Sequence, residues 1–421
     1  MSAAQPLFTT IITIGDELLY GQVIDTNSAW MARLLNQSGI LVKRRVAVAD
    51  RWDDIWQALT EAPQQGQLVL ITGGLGPTAD DITKPLLCNY FGGKMVVHQP
   101  TLDHVKNIFE NILKRPMIER NAKQAEVPDV CTVLMNQKGT APGMWFEKDG
   151  VVYVSLPGVP MEMQWLMENE VMPRLLTHFK TGHVVHKTLI TAGVGESFLA
   201  EKIKDFEASL PSDVKLAYLP NHGMVRLRLS AWGMDKAALE NQLETLFQGL
   251  QVAVGEYLVA KADLPMEKIV GQLLLERNQT LATAESCTGG FMAHLLSKHP
   301  GSSAFFIGSV VSYSNRIKES ELGVSHQDAI TVGVVSEPVV RQMAEGIRQK
   351  FSTDYAIAVS GIMGPGGATP EKPVGTVWMA VSGPAGTQAQ CIHLRFDRAK
   401  NIEWTALQAM NYLRQYIVEK S

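Results

Sequence analysis

Three segments of the sequence place glycines beside carboxylates or prolines directly after an apolar run. They are Gly15-Asp16-Glu17, Gly73-Gly74-Leu75-Gly76-Pro77-Thr78 followed by Asp80 and Asp81, and Pro157-Gly158-Val159-Pro160. Glycines let backbone N–H groups approach phosphate oxygens, and the start of a following helix favours an anion. Carboxylates repel phosphate, but this conflict disappears when a divalent metal bridges the two. The pattern predicts a metal-assisted phosphate site. In the plainer alternative, Asp80 and Asp81 cap a helix and the glycines shape a turn.

A second candidate site lies where an apolar strand runs into Glu285-Ser286-Cys287-Thr288-Gly289-Gly290. A serine at such a strand-to-helix turn is presented to a cleft, and the N–H groups of Cys287, Thr288 and Gly289 can hold a substrate oxyanion. Two alternatives stay open. Ser286 and Thr288 could only cap the helix, or Cys287 could be the nucleophile, although a small buried hydrophobe is the commoner role of cysteine.

A serine nucleophile needs a base, and no histidine falls on another motif of this segment. Residues 312–318 continue a strand into a helix, and the fold could bring Lys318 beside Ser286. A buried lysine with a lowered pKa can act as a general base. A further glycine-rich loop, residues 360–367, would suit a phosphate or a ribose.

The elements around the first site alternate between strand and helix. Strands are predicted at residues 9–14, 40–48 and 67–72, with helices after Asp25 and Asp50 and a hairpin at residues 144–156. This order implies a mostly parallel sheet covered by helices. Ligands of such sheets lie at the carboxyl ends of the strands, so the three motifs are expected to converge there.

The remaining elements complete an α/β fold class with three domains. Residues 183–259 show a β-α-β-β-α pattern without clustered reactive residues, which indicates a structural or dimer-forming unit. The last segment is predicted to contain helices at residues 266–277 and 401–418 around strands at 280–284, 304–313, 355–360, 376–381 and 390–395. The predicted domains are residues 1–176, an α/β domain; 183–260, a small α+β domain; and 261–421, a second α/β domain.

The composition is that of an ordinary globular chain. Of 421 residues, 46% are hydrophobic and 19% charged, and the net charge of −4 speaks against a general nucleic-acid binder. The sequence shows neither a signal peptide nor an apolar run long enough to cross a membrane. The four cysteines are far apart without a C-x-x-C pair, which predicts free thiols in a reducing, cytoplasmic compartment.

The motifs of the first site resemble a known family. Residues 13–19, 25–27, 73–83, 121–125 and 156–160 closely resemble the N-terminal half of the CinA family, competence/damage-inducible proteins. That half is similar to the molybdopterin-binding fold of molybdenum cofactor synthesis. The resemblance implies a metal-dependent ADP-ribose pyrophosphatase, in which a phosphate cradle and carboxylates support attack of water on a P–O–P bond. The fold likeness also leaves a pterin as an alternative ligand.

The resemblance implies roles for particular residues of this first site. Asp81 would be catalytic, and Asp16, Asp80 and Asp81 would hold Mg²⁺ or another divalent metal, with K⁺ as a further candidate. The implied substrate-binding residues are Asp25, Asn27, Gly73, Gly74, Gly76, Thr78, Pro157 and Gly158.

The second site resembles the C-terminal domain of the same family, on residues 282–290, 313–318, 333–337 and 361–367. That domain is similar to nicotinamide-mononucleotide deamidases, amidohydrolases that release ammonia and leave nicotinic acid mononucleotide. The resemblance implies Ser286 as the nucleophile, Lys318 as its base, and no cofactor. The implied substrate-binding residues are Cys287, Thr288, Gly289, Gly290, Tyr313, Ser360, Gly361, Gly364, Gly366 and Arg398.

One departure concerns the substrate phosphate. Asp397-Arg398 fits the Asp-Arg pair of related deamidases, but those enzymes tend to carry another arginine about one turn later, where this chain has Ile402-Glu403. Arg398 or Lys400 would then bind the phosphate, or the activity is reduced. Met363 also stands where a small residue is commoner.

The sequence thus predicts a bifunctional hydrolase of pyridine-nucleotide recycling, acting on ADP-ribose and nicotinamide mononucleotide. The resemblance implies a homodimer, with neither a membrane nor nucleic acid as a direct partner. One alternative is a pterin- or nucleotide-binding sensor with degenerate catalytic sites. Another is a DNA-uptake accessory protein, against which the negative charge speaks.

Overall fold

The computed structural model describes residues 6–78, 81–221 and 223–420. These form two compact units. The first reaches to residue 186 and also takes in residues 211–215 and 230–246; the second contains residues 187–210, 216–229 and the described chain from residue 247 onward.

The first unit is built on a six-stranded sheet in the order β2-β1-β3-β8-β7-β6. The first four of these strands are parallel, and β7 and β6 add antiparallel pairings. The strands are β1 (Phe8–Ile14), β2 (Leu41–Val48), β3 (Leu68–Thr72), β4 (Met95–Val97), β5 (Glu126–Pro128), β6 (Thr132–Leu134), β7 (Gly143–Lys148) and β8 (Val151–Leu156), of which β4 and β5 pair separately.

Helices connect these strands. They are α1 (Asp16–Leu19), α2 (Thr26–Gln37), α3 (Trp52–Glu61), α4 (Thr83–Phe91), α5 (Gln99–Asn107), α6 (Glu119–Ala122), α7 (Pro160–Leu166) and α8 (Met172–His178). A π-helical stretch, Met167–Val171, links α7 to α8, and a second, Ile108–Ile112, extends α5.

The central strands are buried on both faces because helices cover the sheet from both sides. All five residues of β3 are buried, with Leu68 and Leu70 in one core cluster and Val69 and Ile71 in another. This explains why the strand reads as a continuous apolar run without alternation. The hairpin of β7 and β8 turns at Asp149 and Gly150, both with positive φ, as a tight two-residue turn requires.

The middle segment forms a four-stranded sheet in the order β10-β11-β9-β12. Its elements are β9 (His183–Ala192), α9 (Glu196–Ala208), β10 (Val214–Asn221), β11 (Met224–Gly233), α10 (Lys236–Val254) and β12 (Leu258–Ala260). The predicted order of strands and helices is therefore present, with β12 as an additional strand.

The last segment contains a five-stranded sheet in the order β14-β13-β15-β16-β17. Strand β13 lies parallel to both neighbours, whereas β16 and β17 are antiparallel additions. The elements are α11 (Met266–Glu276), β13 (Leu281–Glu285), α12 (Phe291–Ser297), β14 (Phe306–Val311), α13 (Asn315–Leu322), α14 (His326–Thr331), α15 (Glu337–Phe351), β15 (Tyr355–Gly361), β16 (Thr376–Gly383), β17 (Gly386–His393) and α16 (Arg398–Glu419).

The α/β fold class is confirmed, and the differences lie at the ends of elements. Helix α16 begins three residues earlier than predicted because Asp397 caps it, accepting the N–H of Lys400 at 3.0 Å. Strand β14 begins two residues later than predicted because Ser302–Ala304 form a 3-10 turn, and it ends at Val311, two residues earlier than predicted. All four cysteines are free. Among the described residues, no helix combines the length and apolar character that a membrane crossing needs.

Gly346 offers a test of how tightly α15 packs. A Cβ at this position would lie 1.9 Å from the carbonyl oxygen of Leu322, which is backbone and cannot swing away. We expect Gly346→Ala to destabilise the protein by about 1–3 kcal/mol, as overpacking does. Thermal unfolding measures this effect. Gly366→Ala, where a Cβ meets nothing within 4 Å, is the matched control and should leave Tm nearly unchanged; equal Tm values for the two variants would contradict the close packing.

Candidate functional site

The three predicted strand-end motifs of the first unit converge. Strands β1, β3 and β8 are adjacent and parallel, with Thr13 paired to Thr72 and Thr72 to Leu156. Each motif therefore begins at the same edge of the sheet. A cavity of about 150 Å³ opens there. Its lining includes Thr13, Glu17, Asp25, Asn27, Thr72, Gly73 and Gly158.

Asp16 and Asp50 face each other at this edge. The N–H of Asp16 donates to Asp50 Oδ2 at 3.2 Å, and the N–H of Asp50 donates to Asp16 Oδ1 at 3.3 Å. Burial raises the pKa of the Asp50 carboxyl; the charges of Asp16, Glu17 and Asp81 raise it as well, and the Asp16 N–H lowers it. Three neighbouring carboxylates thus make the charged form of Asp50 less favourable at the strand ends.

Sequence reasoning assigned Asp50 only to the start of a helix and missed it as a site residue. The available signal was its position: Asp50 follows β2, and β2 is the parallel neighbour of β1. A carboxylate after a neighbouring parallel strand reaches the same sheet edge as the motif after β1.

Asp81 closes the glycine-rich loop. Its carboxylate accepts the N–H groups of Gly76 and Thr78, both at 2.8 Å, and also the hydroxyl of Thr78. Helix α4 starts only at Thr83, after an N-cap residue, Ile82, that makes no side-chain cap. Asp81 is therefore not a helix cap. Its contacts hold the loop in shape. This agrees with the plainer alternative, in which the glycine-rich segment forms a turn. Asp80 lies outside the described residues.

The other expected ligands of the first site are largely engaged in the fold. Asp25 caps α2, accepting the N–H of Ser28 at 2.9 Å and the hydroxyl of Thr13 at 3.3 Å. The amide of Asn27 donates to the carbonyl of Gly158 at 2.7 Å, and the Pro157 carbonyl accepts from Thr72. These bonds join the three motifs into one rim around the cavity.

Glycine is required at Gly73, where the chain leaves β3. Its φ is 112°, and a Cβ there would lie 2.2 Å from the carbonyl oxygen of Ile14. The two strand ends can therefore approach each other only because position 73 lacks a side chain. At Gly74, a Cβ would lie 2.1 Å from the buried hydroxyl of Thr83 and 3.5 Å from Asp50.

Lys84 is a second residue that the sequence did not single out. It is buried, donates to the carbonyl oxygen of Gln124 at 2.7 Å, and has its pKa lowered by burial to about 8. The charges of Glu126 and Asp81 oppose this lowering. The amino group of Lys84 is thus held inside the unit by the carbonyl of Gln124.

The carboxylates of the first site offer few ligands for a metal. Among the described residues, no group of three or more His, Cys, Asp or Glu side chains is arranged to hold an ion. Asp16 and Asp50 each keep one carboxylate oxygen outside their mutual hydrogen bonds. Two carboxylate ligands suit Mg²⁺, which usually fills its remaining positions with water and substrate phosphates.

Ser286 follows β13, the strand flanked by parallel neighbours in the five-stranded sheet. Its N–H donates to the carbonyl of Val359 at 3.1 Å, which continues the pairing of β13 with β15. Residues 287–290 form a turn, and α12 starts only at Phe291 without a side-chain cap. Neither Ser286 nor Thr288 is therefore a helix cap, and that alternative is removed. Ser286 is half-buried at the turn.

The turn leaves two N–H groups available to a substrate oxygen, whereas the sequence predicted three. Gly289 donates its N–H to the carbonyl of Ser286 at 3.2 Å, so this group, which the sequence included in an oxyanion site, is occupied. Within the described part of the chain, the N–H groups of Cys287 and Thr288 donate to no acceptor of another residue. These two are the donors left for a substrate oxygen.

Lys318 lies on α13 and is only 2% exposed. Its amino group donates to the carbonyl of Ser312 at 2.7 Å, and burial lowers its pKa. Burial raises the pKa of the Cys287 thiol to about 12, so the thiol is protonated at neutral pH. A protonated thiol is a poor nucleophile, which speaks against the cysteine alternative.

Two hydrogen bonds through Ser312 connect Lys318 to Glu285, the residue that precedes Ser286. Ser312 donates its N–H to the carbonyl of Glu285 at 2.7 Å and accepts the Lys318 ammonium. Among the described contacts, no hydrogen bond joins the Ser286 hydroxyl directly to Lys318. Catalytic contacts of this kind often tighten only when substrate is bound.

Arg398 connects two loops at the first turn of α16. Its guanidinium donates to the carbonyl of Gly364 at 2.8 Å and to the hydroxyl of Tyr313 at 3.1 Å. Its charge also acts on the thiol of Cys287. Arg398 thus places a positive group beside the serine turn, which suits a substrate phosphate.

The other expected ligands of this site are distributed around the turn. The Ser360 hydroxyl donates to the carbonyl of Val334 at 2.7 Å, so it fixes a neighbouring loop. A Cβ at Gly361 would meet Val377 at 2.9 Å, whereas Gly366 has open space around it. Gly290 donates its N–H to the Glu285 carboxylate.

Glu285 belongs to the serine motif, but the sequence alone predicts no role for it. Its carboxylate is fully buried and accepts from the Thr288 hydroxyl at 2.7 Å and from the N–H groups of Gly290, Met292 and Ala293 at 2.7–3.0 Å. The signal in the sequence was a charged residue ending an apolar strand. Such a residue is almost never fully buried without partners.

The fold and these two sites define a multidomain α/β protein with one strand-end site in each compact unit. Three family models match the chain: "Probable molybdopterin binding domain" at residues 10–177, "Damage-inducible protein CinA KH domain" at 186–260, and "CinA C-terminal domain" at 263–417. The chain belongs to the CinA family, which confirms the resemblance seen in the motifs.

Two relatives are similar in sequence to this chain along almost its whole length, and a solved structure is similar to part of it. A "CinA-like protein" of Cytophaga hutchinsonii is 44% identical over 413 residues, covering 98% of this chain and 99% of that protein. One of Flavobacterium psychrophilum is 43% identical over 411 residues, covering 97% and 98%. Among solved structures, competence damage-inducible protein A of Klebsiella pneumoniae is 30% identical, covers 38% of this chain and all of that chain, and has a TM-score of 0.36.

Proposed function

We propose that the second site hydrolyses the carboxamide of nicotinamide mononucleotide to nicotinic acid mononucleotide and ammonia. The observation that carries this proposal is a buried lysine with a lowered pKa, joined through Ser312 to the turn that bears Ser286. A serine paired with a neutral lysine is suited to acyl transfer. Arg398, beside this turn, suits the substrate phosphate.

The steps follow from the groups present. Ser286 Oγ attacks the carboxamide carbon while Lys318 Nζ takes the hydroxyl proton, and the N–H groups of Cys287 and Thr288 hold the resulting oxyanion. Lys318 then returns the proton to the leaving nitrogen, and ammonia departs. Water, deprotonated by the same lysine, hydrolyses the Ser286 ester and releases nicotinic acid mononucleotide.

The direct test is ammonia release from nicotinamide mononucleotide by the pure protein, with formation of nicotinic acid mononucleotide as the second readout. We expect both products in equal amounts. Tight binding of the nucleotide without turnover would instead favour the alternative of a nucleotide sensor with a degenerate site.

The pH dependence of this reaction reports on Lys318. Burial lowers its pKa from the ordinary 10.5, and only the neutral amine can accept a proton. The rate should therefore rise with pH and level off below pH 10.5, because the neutral fraction grows as pH passes the lowered pKa. The measurement is kcat/KM from pH 6 to 10. Lys318→Arg, which stays charged, should be inactive throughout; an active Lys318→Arg would contradict the role of the lysine as base.

We further propose that the first site hydrolyses the pyrophosphate of ADP-ribose to AMP and ribose 5-phosphate. The Asp16–Asp50 pair favours this, because crowded carboxylates beside a glycine-rich strand end need a cation before a phosphate can approach. Asp16 and Asp50 would hold a divalent metal, which would supply charge neutralisation for the phosphates and a more acidic water. Asp81 acts there by keeping the loop of Gly76 and Thr78 in its shape.

The test of this second activity is AMP formation from ADP-ribose with and without Mg²⁺. We expect hydrolysis only with the metal. Calorimetric binding of a pterin without ADP-ribose hydrolysis would favour the molybdopterin-like alternative for this site.

A further inference from the structure

Glu285 holds the turn that carries the serine. Its side chain is fully buried, although a carboxylate in such a place must have every oxygen satisfied. One oxygen accepts from the Thr288 hydroxyl and from the N–H groups of Gly290 and Met292, and the other accepts from Ala293. The charge is thus compensated by donors of the turn and of the start of α12.

These contacts decide which donors a substrate can use. The N–H groups at positions 290, 292 and 293 would otherwise be open at the start of α12, where an anion is favoured. Because Glu285 occupies them, a substrate oxygen is left with the N–H groups of Cys287 and Thr288. The Thr288 hydroxyl, bound to Glu285, fixes the residue whose N–H is one of those two.

The main chain of Glu285 is also connected to Lys318, the proposed base. Its carbonyl accepts the N–H of Ser312, and the carbonyl of Ser312 accepts the Lys318 ammonium. One residue is therefore connected both to the oxyanion donors and, through Ser312, to the lysine.

We infer that Glu285 is the positioning residue of the amidase site, holding the Cys287 and Thr288 N–H groups in the geometry that receives the oxyanion. This inference rests on the proposed amidase activity. The Glu285 side chain is fully buried and is therefore not offered to a substrate. It acts through the turn, so its loss should affect the transition state more than the binding of nicotinamide mononucleotide.

The test is Glu285→Gln in the full-length protein. The amide keeps the size of the side chain but turns an NH₂ group toward backbone donors, which shifts the turn. We expect kcat for ammonia release to fall about 100-fold, the order that a misplacement of about 1 Å costs, with KM for nicotinamide mononucleotide within about threefold. Amide hydrogen exchange at residues 290–293 should become faster, while that of α15 should not change.

Two further variants provide a second test of the role of Glu285 and a control. Thr288→Val removes one donor to Glu285, keeps the backbone N–H, and should lower kcat about 10-fold at unchanged KM. Glu267→Gln is the matched control. It alters another buried carboxylate of the same unit, paired with Lys298 and His299 away from the turn, and should keep kcat.

The outcomes separate the inference from the proposed function. A wild-type protein that releases no ammonia removes the amidase, and exchange at residues 290–293 then decides the role of Glu285 alone. An active wild type with full kcat and unchanged exchange in Glu285→Gln overturns the inference. A kcat loss shared equally by Glu267→Gln would show a general structural effect and overturn it too.

Discussion

Ser286→Ala should lower ammonia release from nicotinamide mononucleotide by more than about 1,000-fold, and Lys318→Ala should do the same. The reason is that attack needs both a hydroxyl at the end of β13 and a neutral amine to take its proton. Since the two residues act as one unit, the double variant should be little worse than either single variant. Rates are compared with circular dichroism spectra of each protein as the folding control.

Cys287→Ala is the matched control at the neighbouring position. Its thiol is buried and has its pKa raised to about 12, so its side chain contributes packing, and alanine keeps the backbone N–H. We expect Cys287→Ala to retain substantial activity. An inactive Cys287→Ala together with an active Ser286→Ala would identify Cys287 as the nucleophile and contradict the serine–lysine mechanism.

The second large effect is expected at the carboxylates of the first site. Asp16→Asn and Asp50→Asn should each lower Mg²⁺-dependent hydrolysis of ADP-ribose by more than about 100-fold, because direct ligands matter more than the outer partners whose loss typically costs 10- to 100-fold. Asp81→Asn should also abolish this activity, since an amide cannot accept both the Gly76 and Thr78 N–H groups with the same geometry. AMP formation at saturating Mg²⁺ measures all three.

Thermal stability without metal gives the same hypothesis an independent readout. The raised pKa of Asp50 means that its folded carboxylate binds a proton more readily than the unfolded one, so at neutral pH its charge opposes folding. Asp50→Asn should therefore raise Tm in metal-free buffer and abolish the stabilisation that added Mg²⁺ gives the wild type. Ser286→Ala serves as the control and should keep ADP-ribose hydrolysis. Unchanged Mg²⁺ stabilisation in Asp50→Asn would remove Asp50 from the metal site.

Much of the architecture was predictable because it depends on local patterns. The apolar run of β3 and the helical spacing after Asp25 identify their elements directly, and parallel topology then places motifs after β1, β3 and β8 at one edge. The same reasoning located Ser286 at a strand end. These predictions needed only the periodicity of side chains and the rule that ligands lie at carboxyl ends of strands.

The roles of individual carboxylates were not predictable in the same way. In the sequence, Asp81 looks like a metal ligand and Asp50 like the start of a helix. In the fold, Asp81 binds the N–H groups of its own loop, while Asp50 meets Asp16 from 34 positions away. Which of several carboxylates faces which depends on strand order and on loop conformation, and neither is encoded in local spacing.

By itself, the sequence determined the fold class, the family, and the strand ends at which the candidate site residues lie, since these follow from periodicity and from long contiguous motifs. The tertiary structure decided which groups remain free to act. In the fold, the Gly289 N–H donates to the carbonyl of Ser286, and the Glu285 carboxylate accepts the N–H groups at the start of α12. Lys318 is buried and donates to the carbonyl of Ser312. The physical reason is that hydrogen-bond satisfaction and desolvation are properties of the packed neighbourhood, and residues distant in sequence create that neighbourhood.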